Sequence, residues 1–513
     1  MTSLLLRLPL LVILPAIGAL AMLIPAAHAA LRGDWPAMRA FAENGLVLFA
    51  LLSLVAILTR DRTPRDAALS QLAALVGIHF VAPPLLALPV LQLIPGGTWL
   101  EASAMMVEAL TTTGAGQLAA SLAHHPESGR LAAHVPTLFL WAGLVAWMGG
   151  FLQWVAALAI LGPLDLLGID GDGLRHRRAR GANGSEASWR LMRVTGRLLP
   201  VWCALTGALW LGLILLGAAP LEGALAAMAT LSTSGILLPG ANLAAPPTIS
   251  AGGWGGEALV ALFLLPAVSR WFYRPLAGYR RRLAGGHRAD PEIRLALALV
   301  LLAAGLLFLR HWWESADLYW RTPLDWLALL WSGFFTALSF LTTAGFTSQG
   351  WGEVVVWSGM KAPGLVLLAL AMVGGGVATT AGGLKLLRVH ALLRHVLRER
   401  DRMIHPHYMA AVGRCPDDPH GSAGFAWLVF MLFLVTLALL VLGLGASGLG
   451  FDTAFPLAMS ALTTTGPLAG LVNGGIDWGA LPVPVRALLS LGMIAGRLEI
   501  LALVVLLLRD DWK

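Results

Sequence analysis

The sequence is poor in charged residues. Only 12% of its 513 residues are charged, while 58% are hydrophobic; a soluble domain carries about 25% charged residues. Mean hydropathy is +0.76, and apolar runs long enough to span a bilayer recur from end to end. The composition therefore excludes an ordinary soluble protein and predicts a helical protein that crosses the membrane many times.

Cysteine and recognisable catalytic motifs are also scarce. Cys203 lies in an apolar run and Cys415 in a basic loop, so no disulfide framework is expected. No catalytic triad, Walker motif or cluster of transition-metal ligands is recognisable, which argues against an enzyme and against a cofactor held by this chain. The net charge of +7 does not indicate nucleic acid, because the basic residues cluster in loops between apolar runs.

The placement of these basic residues predicts the orientation in the membrane. With the N-terminus inside, 27 of the 35 Lys and Arg residues fall in inner loops, as the positive-inside rule requires. Both termini are then cytoplasmic. The first 30 residues resemble either a signal peptide or an uncleaved spanning helix, and we favour the helix. The later spans keep the same orientation in both cases.

A Leu-Thr/Ser-Thr-x-Gly motif, with serine once in place of the first threonine, occurs four times. Its glycines, Gly114, Gly235, Gly345 and Gly466, lie 121, 110 and 121 residues apart, which indicates a repeated unit. Each unit contains a span, a short apolar stretch, the motif and a second span. The predicted divisions are two N-terminal spans at 1–66 and four units at 67–175, 176–288, 289–404 and 405–513, giving ten spans in all.

The short apolar stretches, at 101–110, 222–231, 332–341 and 452–462, cannot cross a hydrocarbon core of ~30 Å. They are typical of helices that enter the membrane and end inside it, buried in protein or at a cavity. Glu101, Glu222 and Asp452 suit helix N-termini, and Ser332 takes that place in the third unit. Each helix then directs its negative C-terminal end at its own glycine motif.

Four such motifs around one axis favour a site for a monovalent cation. Extended Thr-x-Gly backbone exposes carbonyls that can replace the water of a cation without adding charge. Glycine places no Cβ in its path, and four helix C-termini add negative potential. The alternative is that these residues only support helix packing. The predicted cation-binding residues are Thr112, Thr113, Gly114, Thr233, Ser234, Gly235, Thr343, Ala344, Gly345, Thr464, Thr465 and Gly466.

A glycine-rich run at residues 374–383 interrupts an otherwise apolar span. Such a run is a poor helix, and the membrane tolerates it where it lines a cavity. Beneath the cation site it would act as a gate; a kink for close packing is the alternative. The predicted gate residues are Gly374, Gly375, Gly376, Thr379, Thr380, Gly382, Gly383, Lys385 and Arg497.

Two charged residues lie at unusual places. Arg497 is the only basic residue deep within a predicted span, where an ionised group usually faces a pore or a partner. It would repel a cation below the site or donate hydrogen bonds to carbonyls of the 374–383 run; pairing with Glu499 or snorkelling is the structural alternative. Glu108, six residues before Gly114, would brace the motif backbone or raise the local cation concentration; facing a polar crevice is the alternative.

The four-fold plan resembles the Trk/Ktr/HKT superfamily of potassium transporters, and the two extra N-terminal spans resemble its TrkH branch. Residues 374–385 resemble the intramembrane gating loop of the family, residues 496–499 its arginine-bearing last span, and residues 465–467 its fourth filter segment. The resemblance implies an all-α polytopic membrane protein with four pseudo-symmetric span–pore-helix–span repeats around one pore. It also implies a homodimer that associates with a cytosolic nucleotide-binding regulatory subunit.

The implied function is potassium-selective uptake across a bacterial inner membrane, with K+ as the transported ion. Glycine at all four positions favours K+, since serine at the first of them accompanies sodium permeation in some plant members of the superfamily. A relative that conducts sodium or ammonium and a non-conducting membrane scaffold are the alternatives. The sequence leaves open whether K+ moves alone or by symport with H+ or Na+.

Overall fold

The computed structural model describes residues 10–59, 67–125, 128–162, 184–239, 247–249, 252–273, 290–314, 323–405, 419–472, 476 and 478–507. Within these ranges the chain is helical, and the β pairing is one isolated bridge between Thr248 and Thr347. The predicted unit boundaries near 66, 175 and 288 lie outside the described residues, as do Cys415 and much of the basic loops.

The helices form an N-terminal group and four units. The N-terminal group comprises Leu10–Ala21, Leu23–Leu31 and Trp35–Thr59. Unit one comprises Ala67–Leu86, Leu88–Leu93, Trp99–Leu110, Gln117–His124, Ser128–Leu131 and Val135–Ala156, which continues as a π-helix at Ala157–Leu161. Unit two comprises Gly184–Leu215, Pro220–Ser232 and Gly253–Val268. Unit three comprises Pro291–Glu314, Pro323–Leu341, Trp351–Ser358, Gly364–Val373 and Leu386–Ile404. Unit four comprises Pro419–Ala446, Phe451–Leu462, the 3-10 turns Gly466–Leu471 and Trp478–Ala480, Val483–Arg497 and Ile500–Leu507.

Eight helices in the described ranges are long and apolar enough to cross a membrane. Seven of them coincide with predicted spans. The eighth, Pro323–Leu341, contains the stretch 332–341 that was predicted to be too short to cross, so that prediction was wrong in unit three. The second span of unit three is interrupted at the glycine-rich run, as predicted. Two other spans differ from their predicted ranges. The second span of unit two, predicted at 255–273, ends as a helix at Val268. The second span of unit four, predicted at 482–508, breaks at 498–499, where Glu499 has a φ of +57°.

We call the helices that precede the glycine motifs the four convergent helices: Trp99–Leu110, Pro220–Ser232, Pro323–Leu341 and Phe451–Leu462. The first begins with a capping box between Thr98 and Glu101. Acidic residues also lie in the first turn of the second and fourth helices, as predicted. The predicted start of the third helix was wrong, because Pro323 and Asp325 form its N-terminus and Ser332 is buried in its interior.

Glycines let neighbouring spans approach the ends of the convergent helices. The carbonyl oxygen of Leu110 occupies the place that a Cβ of Gly149 would need, and the carbonyl of Leu462 does the same at Gly496. Small residues at helix contacts permit such close approach in membranes. The second span of units one and four thereby supports the end of the convergent helix of its own unit.

Replacing Gly149 with alanine should therefore destabilise the fold. Its Cβ would overlap backbone, which cannot rotate away, and overpacking of this kind costs about 1–3 kcal/mol. The control is Gly207→Ala, because a Cβ at Gly207 meets nothing within 4 Å and alanine is the better helix former. Thermal unfolding in detergent should show a lower midpoint for Gly149→Ala alone; equal midpoints would contradict this packing.

Candidate cation site and glycine-rich loop

The four convergent helices end with the same hydrogen bonds. Each convergent helix leads into four residues that end with the motif glycine. We call these residues the four glycine segments: 111–114, 232–235, 342–345 and 463–466. The first hydroxyl of each segment donates to the carbonyl four residues earlier, at 2.7 Å from Thr111, 2.7 Å from Ser232, 2.9 Å from Thr342 and 2.8 Å from Thr463. The third residue donates its N–H to the carbonyl five residues earlier, at 2.9–3.0 Å in all four. This is the pattern of a Schellman-type helix end.

A threonine occupies the left-handed position of every one of these helix ends. The φ angles are +57° at Thr112, +54° at Thr233, +59° at Thr343 and +52° at Thr464. Left-handed backbone is uncommon for a β-branched residue and persists only where the surroundings impose it. The predicted extended backbone was therefore wrong at these threonines, because each one turns the chain at the helix end before its glycine.

The glycine segments meet one another in cyclic order. The carbonyl oxygen of Ser234 occupies the place of a Cβ at Gly114, and a Cβ at Gly235 would lie 2.7 Å from the carbonyl oxygen of Ala344. A Cβ at Gly345 would lie 2.8 Å from the ring of Pro467, and one at Gly466 would overlap the backbone of Ala115. Each glycine thus faces the next unit in chain order, and unit four contacts unit one, so the four segments form a closed ring.

This ring is not four-fold symmetric. The Pro467 ring also lies 3.2 Å from the Cβ position of Gly235, although units two and four are opposite each other in the ring. The N–H of Gly466 donates to the carbonyl of Thr113 at 2.7 Å, so one carbonyl of the first segment already has a backbone partner. The residues that follow the four glycines differ, being Ala115, Ile236, Phe346 and Pro467, and the proline makes this contact across the ring.

Glu108 braces the backbone next to its segment, which decides between the sequence alternatives. Its carboxylate accepts the N–H of Gly116 at 2.8 Å and that of Gln117 at 3.1 Å, and the side chain is buried. Ser339, the equivalent residue of unit three, accepts the N–H of Phe346 at 2.7 Å. These two hydrogen bonds account for the buried carboxylate without a polar crevice.

The glycine-rich loop, which we define as residues 374–385, touches two glycine segments directly. The N–H of Gly382 donates to Thr343 Oγ1 at 2.8 Å. A Cβ at Gly382 would overlap the carbonyl oxygen of Thr463 in the fourth segment. The loop and the ring are therefore one packed unit.

Three residues outside the loop hold its middle. Gly376 donates its N–H to the carbonyl of Ala267 at 3.0 Å, and Val377 donates its N–H to Glu292 at 2.9 Å. The hydroxyl of Tyr273 donates to the carbonyl of Ala378. Sequence reasoning missed Tyr273 and Glu292, since their loop partners lie about 100 residues away along the chain.

Arg497 contacts the same loop. Its Nη1 donates to the carbonyl of Thr380 at 2.6 Å, and the side chain is buried. This is the second of the two predicted roles. The predicted alternative pair with Glu499 is not formed, because Glu499 pairs with Arg388. Lys385 closes the loop by donating to the carbonyl of Ala381.

A further buried carboxylate organises the chain after the third segment. Glu257 accepts hydrogen bonds from the Ser348 hydroxyl, the Gln349 N–H and the Trp331 indole, each at 2.8 Å. Little signal for it was available in the sequence, because Glu257 directly precedes the apolar run 258–268 instead of interrupting it. Among the described residues no group of three or more His, Cys, Asp or Glu could hold a metal ion.

Spanning helices, four equivalent helix ends in a ring and a loop packed against it define a polytopic α-helical membrane protein built from four related units. A family model described as TrkH, cation transport protein, matches residues 295–510. The potassium uptake protein TrkI of Halomonas elongata is 30% identical over 389 residues, 73% of this chain and 72% of the relative. TrkH of Salmonella typhimurium is 26% identical over 417 residues, 79% of this chain and 77% of the relative.

The crystal structure of the potassium transporter TrkH from Vibrio parahaemolyticus has the same fold. It matches 99% of both chains with a TM-score of 0.77 at 23% sequence identity. The chain belongs to the TrkH family of cation transport proteins. The predicted family and fold class are thereby confirmed, and the family consists of transporters rather than enzymes.

Proposed function

We propose that this protein takes up K+ across a bacterial inner membrane through a channel-like path whose filter is the ring of four glycine segments. The observation that carries the proposal is the cyclic contact of four equivalent helix ends. Relatives that match most of the chain are named potassium uptake proteins of the Trk system, which supports K+ as the transported ion.

The proposed filter acts through backbone carbonyls and helix dipoles. Carbonyls of residues 112–114, 233–235, 343–345 and 464–466 replace the water of K+, and they bind it without a charge that would hold it permanently. The four helix C-termini add negative potential at the ring. No bound cofactor is needed in this scheme, because the membrane potential contributes about 2.3 kcal/mol per charge and 100 mV.

The glycine-rich loop and Arg497 form the proposed gate. The loop lies against segments three and four, so its displacement would change access to the ring. Arg497 stabilises the present loop conformation through Thr380 and adds positive charge beside the path. Opening then requires that this hydrogen bond and those of Tyr273 and Glu292 rearrange or move with the loop.

Further parts of the proposal concern assembly and topology. We propose cytoplasmic termini, the unit divisions given above, and a homodimer regulated by a cytosolic nucleotide-binding subunit. The helix Leu386–Ile404 supports this, since it follows the glycine-rich loop directly and carries Arg394, Arg398, Arg400 and Arg402. A regulator bound to this helix could act on the gate through Lys385, which immediately precedes it.

The direct test of function is rescue and flux. We expect the chain to restore growth of a potassium-uptake-deficient bacterium at low external K+, and the purified protein to take up Rb+ into liposomes. Excess K+ should compete with Rb+ far better than excess Na+ or ammonium. Absence of flux in correctly inserted protein would favour a non-conducting scaffold, and stronger competition by Na+ would favour the sodium-conducting alternative.

Tyr273→Phe should raise the resting uptake rate. The substitution removes the hydrogen bond to the Ala378 carbonyl but keeps the ring that stacks on Trp154 at 3.9 Å between centroids. A hydrogen bond contributes about 0.5–1.5 kcal/mol, so Rb+ uptake should increase about twofold to tenfold. Unchanged uptake at unchanged thermal stability would remove Tyr273 from the gate.

A further inference from the structure

The four glycine segments differ in how they are held beyond the glycine. Before the glycine, all four segments have the same hydrogen bonds at the helix end. After the glycine, Glu108 accepts hydrogen bonds from the N–H groups of Gly116 and Gln117, and Ser339 accepts one from the N–H of Phe346. Segments one and three are therefore held before the glycine by the helix end and after it by a side chain of their own convergent helix.

Segments two and four lack this side-chain brace. The equivalent residue of unit two is Ala229, which has no polar side-chain atom. The equivalent residue of unit four is Ser460, whose hydroxyl is buried without a hydrogen-bond partner. Because the units follow one another around the ring, the braced segments one and three are opposite, and so are the unbraced segments two and four.

We infer that the ring has one stiff and one soft pair of opposite segments, and that Glu108 and Ser339 are positioning residues that set its discrimination between K+ and Na+. This inference rests on the proposed filter function. A dehydrated Na+ is smaller than K+, so carbonyls must move inward to bind it as closely. The braces oppose that movement in segments one and three through the backbone beside Gly114 and Gly345.

The unbraced pair also makes a contact across the ring that breaks its four-fold symmetry. Pro467 of segment four lies 3.2 Å from the Cβ position of Gly235 in segment two, across the ring. Glu108 and Ser339 do not line the proposed path themselves, since both act on backbone N–H groups behind it. Removing either side chain should therefore change the ratio of K+ to Na+ uptake more than it changes the stability of the fold.

A matched pair of serine substitutions tests the inference. Ser339→Ala removes a hydrogen bond to the chain after Gly345, whereas Ser460→Ala removes the same atoms at the equivalent position without losing any hydrogen bond. In liposomes, the ratio of Rb+ to Na+ uptake should fall about twofold to tenfold in Ser339→Ala, the range of a typical net hydrogen bond. The ratio should stay at the wild-type value in Ser460→Ala.

Glu108 extends the test to the first segment. Glu108→Ala removes both hydrogen bonds and should lower the ratio further than Ser339→Ala. Glu108→Gln keeps one acceptor oxygen for the two N–H groups and should give an intermediate value. If Glu108→Ala does not fold, the serine pair decides on its own, with thermal unfolding as the check on stability.

Two results would overturn the inference: an unchanged ratio in Ser339→Ala, or the same fall in Ser460→Ala as in Ser339→Ala. Either can be found while the wild-type protein remains a K+-selective uptake protein, so the proposed function would survive. Absence of selective uptake in the wild type would instead defeat the proposed function.

Discussion

Gly114→Ala is expected to reduce Rb+ uptake by about 100-fold, from two costs that together reach roughly 3 kcal/mol. The added Cβ would occupy the place of the Ser234 carbonyl oxygen in the neighbouring unit. Alanine is also strained at the φ of +61° that Gly114 adopts. Relief of this overlap must move segment one or two, and both contribute carbonyls to the proposed filter.

Gly116→Ala is the control for the backbone term. Gly116 lies two residues after Gly114 and has a φ of +82°, but a Cβ there meets nothing within 4 Å. It should carry the left-handed strain without the collision, so its loss of uptake should be about tenfold or less. An equal loss in both variants would mean that strain in the chain after the first helix, rather than the contact between segments, limits transport.

Arg497→Ala is expected to raise resting Rb+ uptake by about tenfold or more. The substitution removes the donor to the Thr380 carbonyl at 2.6 Å and the charge beside the proposed path. Hydrogen bonds from charged donors contribute about 1.5–3 kcal/mol, enough to shift the loop strongly toward displaced conformations. Liposome uptake without a regulator measures this resting rate.

Arg497→Lys separates the two contributions. Lysine keeps the charge but has one ammonium group in place of the guanidinium fork. If the hydrogen bond to the loop dominates, uptake should rise in both variants; if repulsion of the cation dominates, it should rise in the alanine variant alone. A wild-type rate in both variants would remove Arg497 from the mechanism.

The helix ends could be predicted because their chemistry is local. An apolar stretch followed by a hydroxyl residue and a glycine at fixed spacing specifies a helix that ends before a turn, and the repeat shows this pattern four times. The prediction was wrong about the backbone inside the segments, because it expected extended chain where the threonines are left-handed. The start of the third helix was also missed, because Pro323 and Asp325 precede its apolar stretch by several residues.

The buried charged residues that hold the glycine segments and the glycine-rich loop could be predicted only in part. Glu108 and Arg497 stood out as charges in apolar surroundings, and the structure identifies their partners. Glu257 and Glu292 stand at the beginning of apolar runs, where a charge is ordinary, and their partners include residues 85–92 positions away. Spacing along the chain does not encode which buried carboxylate faces which loop, since that depends on the order in which the units pack around the ring.

The most direct test of the central claim is the position of a bound ion. A structure of the purified protein in Rb+, with anomalous scattering measured at the rubidium edge, should place a peak on the axis between Gly114, Gly235, Gly345 and Gly466. Carbonyl oxygens of all four segments should surround it. A protein that takes up Rb+ in liposomes but shows no peak there, or a peak away from this ring, would contradict the account.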